Sequence, residues 1–198
     1  MRRKVFDLIA SAGGLVMVAV LVVAGALLMW GYSFTSANVH NQLAKQEIYF
    51  PPKAAFAHAK LGTEITPSMI PSVSRYAGQQ LLTGQQAAAY ANDFIAVHLS
   101  ELPYHGVYAA ISSKALAAKP GSAEAKELSG LEQTSFQGTT LRGLLLEAYA
   151  FSTFGVIALW AGIAAFILAA VMAVLVGLGF WHSRHTPAEA ELLPAHER

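Results

Sequence analysis

Cysteine is absent from the 198 residues, which excludes disulfides, iron–sulfur clusters and thiolate zinc sites. The absence leaves the compartment open, because an exported domain can do without bridges. Charge is also scarce, at 13% Asp, Glu, Lys and Arg, against about 25% in an ordinary soluble domain. A formal net charge of +1 gives no electrostatic case for nucleic acid. Residues 35–150 are balanced, with eight basic against eight acidic side chains, so no polybasic surface forms there. Glycine-rich phosphate loops are missing: neither G-x-G-x-x-G nor G-x-x-x-x-G-K-[ST] occurs. No alternating apolar pattern reaches strand length, and the fold class predicted is all-α.

What the chain does have is two long uncharged runs. Ala148 to Trp181 and Ile9 to Trp30 carry no charged residue, and a bilayer core of ~30 Å needs about 20 apolar residues in a helix. Two transmembrane helices flanking a small helical extracytoplasmic domain follow. The boundaries are 1–8 for a basic amino terminus, 9–32 for the first span, 33–153 for the external domain, 154–181 for the second span and 182–198 for the tail. A cleavable signal is the rival for the first run, but signal cores are about 7–15 residues and this run is longer. Met1-Arg2-Arg3-Lys4 keeps the amino terminus cytoplasmic by the positive-inside rule. Both termini then lie in the cytoplasm of a multi-pass plasma-membrane protein. Trp30, Tyr32, Phe34, Trp160, Phe180 and Trp181 mark the interfaces, where amphipathic rings favour headgroup level.

Small residues recur within the spans. Ala161, Ala165, Ala169, Ala173 and Gly177 fall at every fourth position, and Ala12, Ala19 and Ala26 at every seventh. Close helix approach in lipid depends on such residues, so these are the candidate packing faces. The partner is left open: the other span, a second copy, or another membrane protein. No ionisable residue lies mid-span, which argues against a proton or ion pathway within this chain.

Between the spans, Ser36 to Ile48 continues the first helix outward until Pro51-Pro52, since proline cannot continue a helix interior. Residues 51–82 hold four prolines and read as irregular structure with short turns. Thr83 and Gln86 have capping-box spacing and open a helix to about Leu99, stopped by Leu102-Pro103. Val107 to Ala118 forms the next. Ser122 caps a short helix to Leu131, and Gly138-Thr139-Thr140 starts the last one, which enters the membrane. Thr186-Pro187-Ala188-Glu189 repeats the capping device for a short tail helix.

Chemistry-bearing patterns are thin. His40, His58, His98 and His105 are the histidines between the spans, and none has the three- or four-residue spacing of a helical metal pair. Glu101 near His98 supplies an acid–base pair without nucleophile or oxyanion device, and Ser100 is not in G-x-S-x-G. No catalytic, metal or cofactor site is assigned. Tyr90, Phe94 and Tyr108 are candidates for an apolar pocket, against the plainer reading of small-core aromatics.

Three stretches carry a resemblance: YFPPK (Tyr49 to Lys53), YAGQQLLTGQQAAAYANDFIAVHL (Tyr76 to Leu99) and LRGLLLEAYAFSTFG (Leu141 to Gly155). With the basic start and first span, they resemble a family of small, uncharacterised actinobacterial two-span membrane proteins. Members are often labelled aromatic ring-opening dioxygenase, which implies a non-haem iron held by two histidines and a carboxylate. The residues lead instead to a non-enzymatic integral membrane protein, an accessory or scaffolding subunit of a cell-envelope assembly. Its partners would be the bilayer and another membrane protein or itself, with no nucleic acid. The alternative is an extracytoplasmic sensing module that binds lipid or another apolar ligand; the dioxygenase reading ranks last.

Overall fold

The computed structural model describes residues 3–187. Among these residues the regular structure is helical, apart from one isolated antiparallel bridge between Tyr49 and Gln80. The α-helices are α1 (Arg3–Ala44), α2 (Lys53–Phe56), α3 (Ile70–Val73), α4 (Gly84–Ala89), α5 (Ala96–Glu101), α6 (Tyr108–Ala117) and α7 (Ala123–His185). A π-helical segment, Tyr90–Ile95, joins α4 to α5. The tail helix expected beyond Thr186-Pro187 falls outside the described residues. The chain divides into two compact units: Met1–Phe34 with Gly155–Arg198, and Thr35–Phe154.

In the first unit, α1 and α7 supply two helices long and apolar enough to cross a membrane. They run antiparallel: a Cβ on Gly14 would meet Val176 Cγ2 at 2.6 Å, and one on Gly25 the Phe166 ring at 3.1 Å. At the same end as Gly14, Asp7 and His182 approach to 3.7 Å. The contact line on α7 is Gly155, Gly162, Ala169, Val176 and Ser183, all buried and seven residues apart, with Ala165 beside them. On α1 it is Ser11 and Gly25, buried, with Gly14, Val18, Leu21 and Leu28 half-buried between and beyond them.

This seam differs from the small-residue rows read from sequence. Ala165 and Ala169 lie on it, whereas Ala161, Ala173, Gly177, Ala12, Ala19 and Ala26 are exposed. The cause is geometric. A helix turns about 100° per residue, so a step of four drifts ~40° and a five-membered row winds away from any straight partner. Steps alternating between three and four average 3.5 and hold the line. The alanines at 12, 19 and 26 have the right period but sit one residue after Ser11, Val18 and Gly25, on the outward face. Trp30, Trp160 and Trp181 also point outward.

The second unit buries larger side chains. Val39 and Leu43 from the end of α1 join Phe50, Ile65, Met69, Val73, Leu81, Ala87, Ala91, Ile95 and Leu145 in one cluster. The proline-rich stretch becomes short turns pinned across the bridge. Phe50 N–H donates to Gln79 O (2.9 Å), Leu81 N–H to Ile48 O (2.8 Å) and Gly78 N–H to Pro51 O (3.0 Å). Gln80 Nε2 donates to Ala44 O at 3.0 Å, a second partner beside Glu47 N–H (3.3 Å) for a carbonyl in the last turn of α1.

The short helix expected from Ser122 and the separate one from Gly138 are a single helix, α7. Ser122 does cap it, accepting from Ala125 N–H at 3.1 Å. Gly138 starts nothing. A mid-helix glycine costs only about 1 kcal/mol, and here it admits Leu99, whose Cδ2 would lie 2.7 Å from a Cβ at that position.

Candidate functional site: a cleft beside the π-helix

The site is built on the helical run from Gly84 to Glu101. Its start is fixed by Thr83, whose hydroxyl accepts from Gln86 N–H at 3.3 Å while Gln86 Oε1 accepts from Thr83 N–H at 3.0 Å. Gln86 is buried and also takes Leu82 N–H at 2.8 Å, while its amide donates to Gln79 Oε1 at 3.0 Å. A buried amide with this many partners holds the α4 entry in one arrangement.

One turn later the helix widens into the π-segment. Such i→i+5 turns are rare and recur at functional sites. The segment carries Ala91 and Ile95 into the core and aligns a row of rings on its flank. Tyr76 and Phe50 centroids are 5.1 Å apart, Phe50 and Tyr90 5.3 Å, Tyr90 and Phe94 4.7 Å, and Phe94 and His98 4.6 Å. Tilted and edge-on contacts in this range suit the ring quadrupoles. Arg75 caps the far end, its guanidinium carbon 4.9 Å from the Tyr76 centroid.

At the His98 end of this row lies a cleft of about 560 Å³, lined by Phe94, Ile95, Leu99, Leu102, Thr134 and Gly138 together with Glu64, His98 and Glu101. Its size is within the ~300–1,000 Å³ of small-molecule sites. His98 Nδ1 lies 2.9 Å from Phe94 O. Burial raises the Tyr90 hydroxyl above its ordinary pKa, and the nearby Glu64 charge adds to the rise. The cleft therefore has an apolar wall and an acidic rim.

The chain leaves α5 through a strained turn. Tyr104, His105 and Gly106 all have positive φ, at 57°, 54° and 64°. For residues with a Cβ this conformation costs roughly 1–2 kcal/mol each. Two contacts hold it. Ser135, fully buried, donates its hydroxyl to Gly106 O at 2.6 Å, and a Cβ at Gly106 would collide with Leu99 O. Strain of this kind gathers at functional positions, and here it fixes the backbone next to two cleft residues, Leu99 and Leu102.

Of the aromatic trio expected to line a pocket, Phe94 does so and Tyr90 stands behind it in the ring row. Tyr108 is elsewhere: exposed on α6, with its ring 5.7 Å from Phe136. The trio does not converge. Glu64, Leu99, Thr134 and Gly138 escaped sequence reasoning, and only Gly138 carried a usable signal, since a glycine inside a helical pattern often marks close approach.

Comparison with protein families, curated proteins and solved structures returned no match to this chain. The iron implied by a ring-opening activity can be tested on the residues themselves. Among the described residues no three His, Asp or Glu side chains gather to hold a metal ion, so a two-histidine, one-carboxylate set is not assembled among them.

Proposed function

We propose that this chain is a two-span plasma-membrane protein whose segment between the spans is an extracytoplasmic helical domain that binds an apolar ligand, without catalysis, in the cleft beside the π-helix. The observation that carries this reading is the cleft, where Phe94, Leu99 and Leu102 are only partly buried along its wall, beside the core cluster to which Ile95 belongs. Basic residues at the amino terminus support cytoplasmic termini.

The test is native purification in nanodiscs followed by mass spectrometry of co-purifying small molecules. Gly138→Leu serves as the control, because its side chain would grow toward Leu99 into the cleft. A species retained by the wild type and lost from the variant supports the reading. Identical small-molecule profiles from the two proteins count against it. In the cysteine-free chain, Lys114→Cys is labelled by an impermeant maleimide on intact cells if the domain is external.

A second reading, an accessory subunit of a larger assembly, is favoured by the small residues that the helix pair leaves outward: Ala12, Ala19, Ala26, Ala161, Ala173 and Gly177. They offer a third helix a close approach. If Ala12, Ala19 and Ala26 all became leucine and every co-purifying protein stayed bound, this reading would fail.

A further inference from the structure

We infer that the cleft selects a ligand bearing a protonated amine beside its apolar group; this rests on the cleft being a ligand site. The donors and acceptors among its side chains point that way. Glu64 and Glu101 are acceptors when ionised. His98 Nδ1 faces Phe94 O at 2.9 Å, and a carbonyl can only accept, so Nδ1 is the donor there, and in that tautomer Nε2 is left as an acceptor. Thr134 spends its hydroxyl hydrogen on Gly130 O at 3.0 Å, which leaves its lone pairs. Among the described residues no Lys, Arg, Asn, Gln, Tyr or Trp lines the cleft. Every polar side chain there therefore offers lone pairs, and none offers a hydrogen.

A ligand for such a wall must bring the donors. An ammonium group has three and no acceptor, and its charge matches two carboxylates. A carboxylate-bearing ligand would meet acceptors of its own sign. A neutral alcohol offers one hydrogen and no charge. The apolar residues Phe94, Ile95, Leu99 and Leu102 take the remainder of the molecule, which gives the class its second requirement.

The experiment compares three probes of equal chain length, hexylamine, hexanol and hexanoate, binding to the full chain in nanodiscs of zwitterionic lipid, with empty discs as reference. Hexylamine is expected to bind about tenfold or more tighter than hexanoate, as charge-assisted hydrogen bonds imply. Glu64 and Glu101 are exposed, so the double variant Glu64→Gln/Glu101→Gln keeps the fold. It should bring hexylamine down to hexanol while hexanol is unchanged. Hexanoate binding as well as hexylamine, or hexylamine indifferent to the double variant, overturns the inference. Equal binding of all three probes, lost in Gly138→Leu, overturns amine selection yet leaves the apolar site standing. No binding of any probe removes both.

Discussion

The two units solve the burial problem with opposite materials. The helix pair hides glycine, alanine and serine: Ser11, Gly25, Gly162, Ala165, Ala169 and Ser183 are its buried positions along with Gly155 and Val176. The unit from Thr35 to Phe154 hides phenylalanine, methionine and leucine, with Phe50, Met69, Leu43 and Leu81 almost wholly enclosed. The difference follows from the surroundings each would have. In water, a large apolar side chain gains about 25 cal/mol for each Å² removed from solvent. Lipid tails are as apolar as leucine, so between membrane helices that gain vanishes, and what remains is the packing that close backbones allow. Large outward residues and small inward ones are the arrangement that lipid surroundings would favour.

The comparison breaks most visibly at Phe50. Phe50→Ala should cost about 3–5 kcal/mol of stability and interrupt the ring row between Tyr76 and Tyr90, which denaturant unfolding of the detergent-solubilised protein would read. In the helix pair the sensitive change runs the other way, from small to large. A Cβ on Gly162 would already stand 3.3 Å from Gly25 O, Leu28 Cβ and Met29 Cγ, so Gly162→Leu should cost about 1–3 kcal/mol by overpacking. Its readout is the cross-linking yield of a short bis-maleimide between cysteines placed at Asp7 and His182, whose side-chain tips meet at 3.7 Å; an unchanged yield would refute the seam.

Smaller effects sharpen the contrast. Thr83→Ala removes a helix cap and should lower the stability of the unit from Thr35 to Phe154 by about 0.5–2 kcal/mol without changing the same cross-linking yield. Ala173→Leu, on the outward face, should shift pairing by no more than ~0.5 kcal/mol, whereas Ala169→Leu, on the seam, should weaken it clearly. The least effect is a pH dependence. Tyr90 keeps its proton in the folded state to a higher pH than the ordinary 10.0. Below that value both states are protonated and nothing changes. Above it the unfolded chain releases the proton while the folded chain holds it, so stability falls as pH rises. Tyr90→Phe should flatten that fall, measured as the unfolding midpoint across alkaline buffers.

Much of the scaffold was legible in the residues, for physical reasons that also mark where legibility stops. Two uncharged runs gave two helices long and apolar enough to span a bilayer. Thr83 and Gln86 gave a helix start because a capping box is a local chemical event. The seam was only half legible: small residues announce close packing, but the face is chosen by the partner helix, and Ala12 differs from Ser11 by one residue and some 100° of rotation. The π-segment left no trace, since Tyr90 to Ile95 has an ordinary helical pattern and the widening is imposed by what packs around it. The cleft was least legible of all, because Glu64, His98 and Thr134 come from separate stretches that only the fold assembles.

Gly14 and Val176 share one small volume, and that has a genetic consequence. A Cβ at position 14 displaces the Val176 methyl, whereas a chain with alanine at 176 has room for alanine at 14. The two positions should drift together through evolution, and a selection for suppressors of Gly14→Ala should return to Val176 before anywhere else.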